Sequence, residues 1–146
     1  DIARHLIGSN AVSVYAQGAK GIGSKKWEQH DICDHIVATI TFENGAVLCV
    51  GTGHLAPEGF RTGVDFLLDD LVVTHNNSEL IVKTKGKEEK FKNTNKPYEE
   101  EDRVFLDAVR SGDREAVYCS YADALETHRI TMAINESVEN GEVVKL

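Results

Sequence analysis

The chain has 146 residues, 41% of them hydrophobic and 27% charged, enough to bury a core without disulfide or metal staples. Its 16 Lys and Arg against 24 Asp and Glu give a net charge of −8, so a nucleic-acid or anionic-membrane partner, which needs clustered positive charge, is not expected. No apolar run approaches the ~20 residues of a membrane span, and Cys33, Cys49 and Cys119 read as free thiols of a cytoplasmic protein rather than as a disulfide framework.

At the N-terminus, Ile2 and Leu6 stand four apart, as do Ala3 and Ile7, and Gly8 follows. This predicts the end of a helix with a glycine cap. Asp1 is read as a residue inside a longer helix rather than as its N-cap, and the chain as a piece of a longer protein. Residues 11–17 alternate as a strand, and residues 18–34 read as a polar loop holding Trp27. His35 to Glu43 and Ala46 to His54 predict a hairpin around Asn44-Gly45. A two-residue turn sets Phe42 opposite Val47, Ile40 opposite Cys49 and His35 opposite His54. One face is then apolar and the other half polar, so both are expected to be covered.

Residues 63–68 and 71–75 read as strands joined at Asp69-Asp70, and residues 79–85 and 88–92 as a polar hairpin around Gly86. Pro97 and Gly112 bracket a helix over 97–111 with an apolar stripe of Val104, Phe105, Ala108 and Val109. Ser120 and Asp123 predict the start of a helix running to Asn140 and stopped by Gly141, with Leu125, Met132, Ala133 and Ile134 as core candidates. Residues 142–146 form a last short strand. Strands followed by helices predict an α+β fold: one domain over 1–146, an open, largely antiparallel or mixed sheet from Ala11 to Lys92, and the late helices packed on one face.

Among motifs, Gly18-Ala-Lys-Gly-Ile-Gly23-Ser24-Lys25 does not fit a phosphate loop, because Ser precedes Lys and no helical stripe follows. Cys33, His35 and His54 would converge in the expected register. Zinc would need a fourth ligand, for which Asp31 or Asp34 stands near, Asp34 with its side chain the other way. No metal is expected. His54 and Arg61 flank a loop after a strand, a place for substrate contacts. No catalytic triad or paired-carboxylate motif appears, so no catalytic residue is assigned.

Several stretches together carry a resemblance. They are Asp1-Ile-Ala-Arg-His-Leu-Ile-Gly8, the run from Asp34 to Ala46 with its Asn-Gly turn, the Glu101–Gly112 helix, Tyr121-Ala-Asp-Ala-Leu125, and Asn135 to Val144. In order and spacing they resemble the C-terminal domain of the glucose-fructose oxidoreductase, inositol dehydrogenase and rhizopine-catabolism (Gfo/Idh/MocA) family. The resemblance implies a parent oxidoreductase acting on a sugar, inositol or similar polyol with NAD or NADP. That cofactor would be bound by an N-terminal Rossmann domain, and none would be bound by this chain. It implies further that Asp1 matches an acidic residue beside the substrate, and that the family's preceding His and Asp fall before residue 1. The partners it implies are the Rossmann domain, a small-molecule substrate and further copies of the chain, docked through an open sheet face. The chain alone would be inactive. The alternative is a non-catalytic α+β domain for ligand binding or assembly.

Overall fold

A computed structural model describes residues 1–56, 62–76 and 78–146 and gives an α+β chain whose described strands all pair antiparallel. Its contacts divide it into two units, Asp1–Pro57 with Cys119–Leu146, and Glu58–Tyr118. The strands form two four-stranded sheets, which corrects the expectation of one platform from Ala11 to Lys92. The reason is local. Each strand of the second sheet pairs only with its neighbour in sequence, so its backbone groups are satisfied without the first sheet.

The first unit begins with α1 (Ile2–Ile7), ended by Gly8 in the left-handed conformation at φ 65. β1 (Ala11–Ala19) follows, then a single helical turn, α2 (Gly23–Lys26), inside the stretch read as loop. β2 (His35–Phe42) and β3 (Val47–Gly53) form the expected hairpin. The second unit holds β4 (Gly63–Leu68), β5 (Leu71–Asn76), β6 (Glu79–Thr84), β7 (Lys87–Lys92), α3 (Pro97–Ser111) and a 3₁₀ turn at Arg114–Ala116. α4 (Tyr121–Asn140) and β8 (Val144–Lys145) return to the first unit, whose strand order is β3-β2-β1-β8.

The hairpin register is one residue off the expected one. Thr41 lies opposite Val47, Ile40 opposite Leu48, Ala38 opposite Val50 and His35 opposite Gly53. The loop holds three residues, not two. The Gly45 N–H donates to the Phe42 carbonyl at 3.0 Å, and Gly45 takes φ 86 as the bulge residue that closes such a loop. The slip sorts the side chains. Val14, Ala16, Ala38, Ile40 and Phe42 are buried on one face, with Leu48 and Val50 beside them and Ile130 and Ala133 of α4 packed across. Burial of this branched apolar set is the main force holding the unit together.

α4 starts where Ser120 Oγ accepts the Asp123 N–H and stops at Gly141, φ 74. Of its four core candidates Ala133 is buried and Ile134 half-buried, whereas Leu125 and Met132 are exposed. The opposite face of the first sheet carries Tyr15, Val37, Thr39, Val47 and Cys49, all exposed.

In the second unit, Asp70 at φ 52 turns β4 into β5, and Gly86 at φ 77 turns β6 into β7. Lys83 pairs with Glu88 across the outer hairpin at 2.9 Å, and Lys90 pairs with it along β7 at 3.1 Å. α3 occupies the expected residues but buries only Ala108. Phe105 and Val109 of the expected stripe are exposed. An amphipathic pattern tells which face is apolar and not whether anything covers it.

Candidate functional site

Two polar constellations occur in the first unit. One is a cleft of about 390 Å³ lined by Arg4, His5, Gly8, Ser9, Asn10, Glu43 and Asp123. Helix α1 presents Arg4 to α4. There its guanidinium forms an ion pair with the Asp123 carboxylate and donates to the Asp123 carbonyl at 2.9 Å and to Thr127 Oγ1 at 3.0 Å. Arg4 thereby holds the Asp123 carboxyl below its usual range, helped by the Cys119 thiol. The same carboxylate pushes the Cys119 thiol up, which makes Cys119 a poor nucleophile. Arg4 is thus the structural partner of the Asp123 carboxylate.

The second constellation lies where the segment between β1 and β2 folds back. Asp34, just before β2, is 1% exposed. Its Oδ2 accepts the Ile22 N–H at 2.8 Å, and its Oδ1 accepts the Gly23 N–H at 2.9 Å. These backbone bonds, Ile22 first, hold its carboxyl below the ordinary value against the opposing effect of burial. His30 Nε2 lies 3.2 Å from Asp34 Oδ1. The His54 ring stands 5.0 Å from that of His30, and the His54 N–H reaches the Asp34 carbonyl at 3.4 Å. Gly23 leaves the space this needs, since a Cβ there would stand 2.7 Å from Asp34 Oδ1 and collide with the His30 ring.

Of the residues singled out in the sequence, Asp1 is exposed and its side chain makes no cap bond; its carbonyl accepts the His5 N–H at 2.8 Å. His54 is exposed, beside His30. Neither lines the cleft. Arg61 lies outside the described residues. The expected convergence of Cys33, His35 and His54 does not occur. The shifted register sets His35 against Gly53, and Cys33 sits over Gly18, where a Cβ would approach its Sγ to 2.8 Å. His30 takes the place given to those two residues. No sequence spacing marked it, since residues 27–34 form no helix that a separation of four would align. The Gly18–Lys25 stretch does not fit a dinucleotide phosphate either, because the Ile22 and Gly23 amides are committed to the Asp34 carboxylate.

No family profile matches the chain. An uncharacterized oxidoreductase, YrbE of Bacillus subtilis, is 30% identical over 159 residues, covering 100% of this chain and 45% of that protein. An aldose-aldose oxidoreductase from Caulobacter crescentus, solved with glycerol, superposes with TM-score 0.81 at 16% identity, covering 99% of this chain and 44% of the other. A levoglucosan dehydrogenase, solved with NADH and levoglucosan, gives TM-score 0.78 at 21% identity, covering 99% and 46%. The chain thus spans less than half the length of each of these three proteins.

Proposed function

From a chain with the α+β fold of the C-terminal domain of Gfo/Idh/MocA oxidoreductases, we propose that it is the substrate-side domain of an NAD- or NADP-dependent dehydrogenase acting on a sugar, an inositol or a similar polyol. The observation that carries this is the match along the whole chain to an oxidoreductase of about twice its length. The solved relatives with an aldose reaction or with NADH and levoglucosan support the substrate class. Asp1, His54 and Arg61 are the proposed substrate contacts. No step is assigned to the nicotinamide within these residues, whose one glycine-rich turn binds a carboxylate of its own chain. In the parent, the cofactor would be held by a Rossmann domain, and the task of this domain would be to orient the carbinol and exclude water. The exposed face of the first sheet is the proposed surface for self-association.

The test is reduction of NAD⁺ and NADP⁺, followed at 340 nm, by the full-length parent with a panel of aldoses and inositols, beside the 146-residue chain alone. Turnover by the parent and none by the chain is expected. A parent that binds neither nicotinamide, or a chain that turns over unaided, would overturn the reading.

A further inference from the structure

We propose that His30, Asp34 and His54 form a site for one divalent transition-metal ion of the zinc type. A His nitrogen from each imidazole and a carboxylate oxygen from Asp34 lie within 4.8 Å of one another. Two imidazoles and one carboxylate are a donor set that suits zinc, leaving a fourth position for water or another oxygen donor. Bonds of about 2.0–2.2 Å to a tetrahedral ion place ligand atoms roughly 3.3 Å apart. The His30–Asp34 pair already has that spacing, at 3.2 Å. The remaining closure falls to His54, the most exposed of the three, just past the end of β3.

The surroundings are those of a held ligand set. The Ile22 and Gly23 amides fix both Asp34 oxygens, and each oxygen keeps a lone pair for an ion. The His54 amide ties its backbone to the Asp34 carbonyl. Gly23 keeps clear the space beside the His30 ring and Asp34 Oδ1. The Asp34 carboxylate sits in a nearly buried place, 1% exposed. His30 would ligate through Nε2 with that nitrogen unprotonated, as a ligating imidazole must be.

The proposal does not depend on the redox reading, and it is tested without substrate or nicotinamide. The chain is treated with EDTA, dialysed and titrated with ZnCl₂ by calorimetry, and with CoCl₂ followed by visible absorption. One ion per chain at micromolar or tighter affinity is expected, with the d–d bands of a four-coordinate cobalt site. His54→Ala, a change at an exposed residue, weakens binding by roughly tenfold or more, and His30→Ala does the same. Cys33→Ser and His35→Ala leave it unchanged. Absence of saturable binding, binding insensitive to both His30→Ala and His54→Ala, or binding lost with Cys33 and His35 instead would each overturn the proposal. Circular dichroism of each variant confirms that folding is retained. Success would reassign His54 from the substrate contact proposed above to the ion; failure would leave the dehydrogenase reading standing, since that reading uses no metal.

Discussion

Ser137 is fully buried on α4 and makes two hydrogen bonds. Its Oγ accepts the Ala16 N–H at 2.8 Å and donates to the Glu142 carbonyl at 2.6 Å. One hydroxyl thus satisfies a donor of β1 and an acceptor beyond the helix end, and no described buried side-chain polar atom lacks a partner. Ser137→Ala should cost about 1–3 kcal/mol, because the Ala16 amide is left unsatisfied in a packed interior. Urea denaturation measures it, and a change within about 0.5 kcal/mol would place the site among ordinary surface substitutions. Asp123 links stability to pH. Its folded carboxyl titrates below the unfolded value of about 3.9, held down first by Arg4. Such a group adds stability above the unfolded value and loses it as pH falls through the folded one. The Tm gap between wild type and Asp123→Asn should therefore be open at pH 6 and narrow as pH falls below the unfolded value of about 3.9. A gap independent of pH would refute the Arg4–Asp123 linkage.

At the scale of elements, the β2–β3 turn decides which side chains meet α4. Gly45 at φ 86 is required by the three-residue loop, and Gly45→Val should cost about 1–2 kcal/mol by denaturant melt. A neutral result would refute the positive φ at Gly45. The two-residue turn read from Asn-Gly alone erred because the arbitration is not local. The Asn44 N–H donates to Ser9 Oγ at 3.2 Å and its Nδ2 to the Ile7 carbonyl at 3.3 Å, so residues at and just past the end of α1 clamp the loop. Helix ends, in contrast, were legible. Pro97, Gly112, Ser120 and Gly141 mark α3 and α4 where the structure has them, since caps act within a turn of their own residue. The His30–Asp34–His54 cluster was hidden for the same reason as the register. It depends on a chain reversal held by the Ile22 and Gly23 amides, and no spacing along one strand encodes that.

For the molecule as a whole, the first unit has one face of its sheet sealed by α4 and the other exposed. Val37 on β2 and Val47 on β3 are 57% and 65% exposed, and Tyr15 on β1 joins them. Ser13, Thr39 and Thr41 lie between these apolar side chains, with Ser13 Oγ and Thr41 Oγ1 bonded to each other, so the face is mixed rather than greasy. Such composition suits a specific interface, which is about as apolar as ordinary surface over its whole area, and about 800 Å² per partner is needed for a stable one. The strand pair β1–β2 lies inside the sheet order, so its face is flanked by β3 and β8 and is not a bare edge that would recruit strands without limit. The chain should therefore associate face to face into a closed species. Sedimentation across a concentration series should show a defined oligomer, and Val37→Glu, which buries a charge at the centre of that face, should shift it to monomer by tenfold or more in concentration while circular dichroism stays unchanged. A wild-type chain that stays monomeric at high concentration, or a Val37→Glu chain that associates as before, would remove the proposed assembly surface.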